Sequence, residues 1–328
     1  MIISKTPLRA SFFGGGSDFK DYIRTSRLGH GAVLSAGLNM HVYITVNKKF
    51  DDKIRVVYSG NELVDHVDEV KHNIIREALK LTGNTHGIEI IYMADIPLSG
   101  AGVGLASSSA LAVGVLNALH AYNGEFVTPD QLAREACHIE IDLIGQAIGI
   151  QDQYAVAYGG VNRYYFNSDG SVCVTPVVGA QDTLDALKDN LKLYFTGNTR
   201  DSREIFKEQN ATRKDKTAML DDLVQTVDRA YEWLSRGELD SWGHELDRTW
   251  NIKKQFASGV SNPDIDDMYM TARDAGALGG KILGAGGGGF MLLYVPADAG
   301  ESVRNAMSAY REVPFDFDMQ GSRIIFVD

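Results

Sequence analysis

The stretch PLSGAGVGLASSSALAVGVLNAL, Pro97 to Leu119, constrains this chain more than any other. Gly100, Gly102 and Gly104 alternate with small or apolar residues, and Ser107, Ser108 and Ser109 follow. The apolar run after them predicts a buried helix. A helix start leaves four backbone N–H groups unpaired and carries partial positive charge. Glycines ahead of it let the backbone approach an anion closely. Together these features predict a phosphate cradle. The serines suit helix capping, and a hydroxyl there also reaches a metal ion held by the phosphate. A tight turn with one capping serine is the plainer alternative. Three glycines and three serines within ten residues favour the anion site.

A length of 328 residues fits one large domain or two of ordinary size. Hydrophobic residues at 44% and charged residues at 23% describe a globular chain. A net charge of −11 argues against binding nucleic acid or an anionic membrane. An anionic small substrate needs only a local positive pocket. Cys137 and Cys173 form no CxxC pair, so neither a zinc site nor a disulfide framework is expected. The N-terminus MIISKTPLRASFFGGG lacks the apolar core of a signal peptide, and FMLLYV at 290–295 is too short to span a bilayer. The expected setting is a reducing cytoplasm.

Strand-like and helix-like segments alternate through the first half. HVYITVNKKF (41–50) and KIRVVYS (53–59) read as a hairpin across Asp51 and Asp52. Residues 67–83 read as an amphipathic helix stopping at Gly83, and GIEIIYMADIP (87–97) as a strand. Residues 128–145 predict a helix with Thr128 as N-cap, Pro129 at the first position and Gln131 completing a capping box. From about Asp201 to Ser258 the chain is polar and helical, and Trp233, Trp242 and Trp250 suit core packing. One more helix is expected at 262–276. GGKILGAGGGGFMLLYV (279–295) is a glycine loop entering a strand, and SRIIFV (322–327) is the last strand. This mixture predicts an α+β fold, divided into residues 1–180 and 181–328.

The second glycine loop formally matches GxGxxG, but a strand follows it where a dinucleotide fingerprint requires a helix. A P-loop is absent, because Ala275 and Ile282 occupy required positions. With those excluded, PLSGAGVGLASSSA resembles the second motif of the GHMP kinases, the superfamily of galactokinase, homoserine kinase and mevalonate kinase. TPLRASFFGGGSDF (6–19) resembles the first motif and KILGAGGGGF (281–290) the third. The resemblance implies a two-domain GHMP kinase fold, with an N-terminal half like ribosomal protein S5 domain 2 and a ferredoxin-like C-terminal half. ATP and Mg2+ would sit in the cleft between them. Gly100, Gly102, Gly104 and Ser107–Ser109 would hold the nucleotide, and Ser108 and Glu140 the metal.

Within IEIDLIGQAIGIQDQYA (139–155), Asp152 matches the residue that takes the acceptor hydroxyl's proton in galactokinase-like members. Periodicity alone does not single out Glu140, since Glu135 and Asp142 also border the apolar stripe of Ala136, Ile139 and Leu143. Arg9 would stand beside Asp152, balance its charge and steady an emerging alkoxide. Asp18 matches a family aspartate that binds sugar hydroxyls. Gly15 and Gly16 replace an acidic residue and a histidine of galactokinases, which argues against galactose. Gly15, Gly16, Gly286 and Gly287 are grouped with Asp18 on the substrate side.

The variant PLRxxFxGGGSD, with GIQDQYAVAYGGVNRYYF and YFTGNTRDS, resembles the D-glycero-D-manno-heptose 7-phosphate kinases. These phosphorylate the anomeric hydroxyl on the way to activated heptose for surface polysaccharides. The implied partner is a small sugar phosphate. Arg200, with Arg203, follows a predicted strand and would meet its remote phosphate. A kinase for an unphosphorylated sugar, fucokinase-like, and a sugar-binding protein of this fold without catalysis are the alternatives.

Overall fold

A computed structural model describes residues 1–96, 103–177, 181–197, 205 and 216–328. Its first sheet is built around two long strands, β1 (Ile2–Phe13) and β2 (His30–Lys48). Between them lies the short helix α1 (Lys20–Thr25). β1 and β2 pair antiparallel along nearly all of β1. The register slips between Pro7 and Leu8, as suits a residue with no N–H to give the ladder.

β3 (Ile54–Val57), β4 (Asn61–Val64), α2 (Asn73–Leu81) and β5 (Ile88–Ala94) follow. The expected hairpin across Asp51 and Asp52 does not form. β5 lies between β2 and β3, pairing antiparallel with the first and parallel with the second. Ile54 and Val56 alternate inward and suit either neighbour, so their pattern does not choose between them.

α3 (Ser107–Tyr122) packs on β1 and β2, buried from almost every side. Ser4 Oγ donates to the carbonyl of Gly114 at 2.7 Å and ties helix to sheet. α4 (Pro129–Cys137) starts as expected, with Thr128 Oγ1 accepting from the Gln131 N–H. The Gln131 side chain donates to Glu135 instead of closing a capping box. The helix stops short of residue 145, and His138–Leu143 form a wider π-helical turn. α5 (Gln151–Tyr158), β6 (Val161–Asn167) and β7 (Val172–Pro176) complete this part. β6 joins the first sheet on β2.

The second sheet has four antiparallel strands. α6 (Gln181–Asn190) precedes β8 (Leu191–Phe195). Among the described residues the expected polar helical region contains two helices, α7 (Thr217–Arg236) and α8 (Leu239–Lys253). They part at Gly237, whose φ of 71° is in the left-handed region. α9 (Pro263–Asp274) is capped by Asn262. β9 (Gly279–Ile282) and β10 (Phe290–Tyr294) flank the second glycine loop. α10 (Gly300–Ala306) and β11 (Arg311–Glu312) follow, and β12 (Arg323–Val327) returns to pair with β1.

Trp242 and Trp250 are fully buried. Trp242 meets Phe12 and Phe13 edge to face at 5.0 and 4.9 Å, so α8 is packed directly on the strand that carries the first motif. Among the described residues no helix is long and apolar enough to cross a membrane.

Candidate active site

Two glycine loops touch. Gly104 has a φ of 80°, and a Cβ on it would come within 2.3 Å of the Leu283 carbonyl oxygen. Gly284, at 71°, would meet the Gly104 Cα at 2.5 Å. Only glycine on both sides permits this approach. Gly100 and Gly102 lie outside the described residues, as do Arg200 and Arg203.

The serines do not cap α3. Its N-cap position is Ala106, a non-glycine residue at φ 62° that offers no side-chain oxygen. Such strain collects at functional sites. Ser108 and Ser109 point elsewhere, donating to Glu140 Oε1 at 2.6 Å and Oε2 at 2.8 Å. Gln153 Nε2 donates to Oε2 at 2.7 Å. Ser107 Oγ is buried without a hydrogen-bond partner among the described residues.

The π-helical turn explains why periodicity hides Glu140. It rotates a charged side chain to full burial, 0% exposed. The two competing acids are engaged outside the site. Glu135 pairs with His120 at 2.7 Å and Asp142 with Lys20 at 3.0 Å. Burial raises the Glu140 pKa, and its three hydrogen bonds only partly oppose that. It has no cationic partner among the described residues. A buried carboxylate without counter-charge beside a hydroxyl suits a hard divalent cation. No group of three or more His, Cys, Asp or Glu able to hold a metal occurs among the described residues. Mg2+ is nevertheless commonly held by only one or two protein oxygens, with its remaining ligands from phosphate and water.

Arg9 sits inside β1, only 3% exposed. Its Nε donates to Asp152 Oδ1 at 2.9 Å and its Nη2 to Oδ2 at 2.7 Å, a two-pronged pair. Nη1 donates to the Gly104 carbonyl at 2.7 Å, linking the pair to the first glycine loop. Asp152 stands in the first turn of α5, where a negative charge is favoured.

Asp18 is held by the N–H of Gly16 at 3.0 Å and by the backbone and side chain of Gln151 at 3.2 and 3.0 Å. Burial and the nearby Asp152 charge raise its pKa. Gly149 lets it sit there: a Cβ at 149 would overlap Asp18 Oδ2 at 1.9 Å.

Two cavities meet at this point. One is lined by Ser107–Ser109, Glu140, Ala285 and Gly286, the other by Ser11, Gly15, Gly16, Asp18, Gln151 and Phe256. Arg9, Asp152, Ile148 and Gly284 border both. Gly286 thus faces the same cavity as the serines, and the Gly287 N–H donates to the Val260 carbonyl at 2.9 Å. Gln151, Gln153 and two buried lysines, Lys253 and Lys281, belong to the site without being singled out by the sequence pattern. Lys281 opens the third motif and was visible there; nothing in the sequence marks Lys253.

Residues 70–160 match the family profile of the GHMP kinases N terminal domain, and residues 229–312 that of the GHMP kinases C terminal region. Together they span more than half of the chain. The D-glycero-alpha-D-manno-heptose 7-phosphate kinase of Campylobacter jejuni subsp. jejuni serotype O:2 is 29% identical over 308 residues, covering 90% of this chain and 89% of that protein. The mevalonate kinase of Thermococcus sibiricus is 28% identical, covering 73% of this chain and 68% of its own length. Among solved structures, a D-glycero-D-manno-heptose 1-phosphate kinase from Bacteriodes thetaiotaomicron superposes over 100% of both chains with a TM-score of 0.82 at 24% identity.

Proposed function

The chain belongs to the GHMP kinase superfamily, and we propose that within it this protein is an ATP-dependent sugar 1-kinase acting on D-glycero-D-manno-heptose 7-phosphate to give the 1,7-bisphosphate. The observation that carries the reading is the Arg9–Asp152 pair, standing where two cavities meet. The cavity of serines and glycines takes the triphosphate, and the cavity of Asp18 takes the sugar. Asp18 and Gln151 orient sugar hydroxyls. Asp152 accepts the proton of the anomeric hydroxyl as its oxygen bonds to the γ-phosphorus and the bond to ADP breaks. Arg9 holds the carboxylate in line and offsets charge at the attacking oxygen. Ser108 and Glu140 would hold Mg2+, which supplies charge neutralisation on the phosphate oxygens. We place the domain division near residue 180, with β12 returning to the first sheet, and the enzyme in the cytoplasm.

ADP release measured over a panel of sugars with Mg2+ tests this. The highest kcat/KM is expected with heptose 7-phosphate. Preference for fucose would turn the reading to a fucokinase-like enzyme, and sugar binding without turnover to a non-catalytic protein.

A further inference from the structure

The acceptor cavity has a cationic wall that the reaction so far does not use. Lys253, the last residue of α8, donates from Nζ to the carbonyls of Ile282 at 2.8 Å and Gly284 at 2.6 Å. Lys281, on β9, donates to the Phe12 carbonyl at 2.8 Å. Both line the cavity of Asp18 and neither lines that of the serines. Neither ammonium meets a carboxylate within 4 Å among the described residues. The cavity's two carboxylates are engaged elsewhere, Asp152 with Arg9 and Asp18 with Gly16 and Gln151. An ammonium has three donors. Among the described residues two are used on Lys253 and one on Lys281, so in the protonated form hydrogen-bonding capacity is left on both.

Two cations buried close to the Arg9 guanidinium repel one another. Burial lowers both pKa values, with a smaller push from Lys281 and Arg9 on Lys253 and from Arg9 on Lys281, whose value falls to about 7. Such charges are stabilised by an arriving anion. The transferring phosphoryl group is one candidate anion, since Gly284, whose carbonyl holds Lys253, borders both cavities. A second phosphate on the acceptor would be delivered into the cavity that they do line.

We infer that Lys253 and Lys281 bind the phosphate already carried by the acceptor sugar and so select a phosphorylated over a neutral sugar. The inference rests on the heptose 7-phosphate reading above.

The test compares heptose 7-phosphate with the unphosphorylated heptose in wild type, Lys253→Gln and Lys281→Gln. Glutamine keeps a donor for the carbonyls and removes the charge. Each substitution is expected to lower kcat/KM for the phosphorylated sugar on the order of 10–150-fold, mainly through KM. The neutral sugar and the KM for ATP should change little. Calorimetric titration of heptose 7-phosphate without nucleotide should show the same loss of affinity. Arginine at either position should restore much of it. If the variants fail to fold, wild type decides: inorganic phosphate should compete with heptose 7-phosphate and not with the neutral heptose, and absence of competition overturns the assignment. Equal losses on both sugars would also overturn it, giving the lysines to the transferring phosphoryl group. A wild type that prefers the neutral sugar defeats the heptose 7-phosphate reading itself. A preference for the phosphorylated sugar that survives both substitutions defeats only the lysine assignment.

Discussion

Asp152 carries two hydrogen bonds from one guanidinium, yet a carboxylate has about four lone-pair sites, so acceptor capacity remains for a substrate proton. Asparagine keeps the shape and removes the base. Asp152→Asn is expected to lower kcat by about 10²–10⁴-fold while nucleotide affinity, measured by titration, changes little. Near-wild-type kcat would remove Asp152 from the role of base. Glu140 lies in the same fold but has a different chemistry, since among the described residues its oxygens face three neutral donors and no cation. Ser108→Ala and Glu140→Gln should each raise the Mg2+ concentration needed for half-maximal rate. Titration curves that overlay the wild type would place the metal elsewhere.

At the scale of elements, the site depends on backbone approach. Gly284→Ala would force a Cβ into the Gly104 backbone at a left-handed φ, and is expected to cost roughly 1–3 kcal/mol in urea unfolding and to weaken ATP binding. Gly300→Ala, with no neighbour within 4 Å and a helical φ, is the control and should be neutral or slightly stabilising. The three motifs, the Thr128 cap and strands such as β3, β5, β10 and β12 were legible in the sequence because each is a local pattern, whereas β1 was not. The position of β5 between β2 and β3 was not, because alternation in a strand names its buried face and not its neighbour. Glu140 was reached only by resemblance, since a π-helical turn breaks the period on which helical faces are read. Ser107–Ser109 were read correctly as the entrance to a buried helix, but not as its caps. Glu140 competes for the hydroxyls of Ser108 and Ser109, and Ala106 takes the cap position.

Over the whole molecule, parts distant in sequence converge on one junction. β1 brings Arg9, the α3 entrance brings the serines, α5 brings Asp152, and the loop after β9 brings Gly284. Trp242 packs α8 onto β1, and the buried His41 holds Asp318 at 2.6 Å, fixing the segment before β12 to β2. The junction is therefore braced from both ends of the chain, as a site that must align two substrates requires. We propose that this junction moves a phosphoryl group from ATP to an anomeric sugar hydroxyl. Phosphorus NMR of wild type with Mg2+, ATP and heptose 7-phosphate tests it most directly. A new anomeric phosphate signal should grow in step with ADP, and should grow far more slowly with Asp152→Asn. A phosphate placed on any other carbon, or folded enzyme that binds the sugar and transfers nothing, would contradict it.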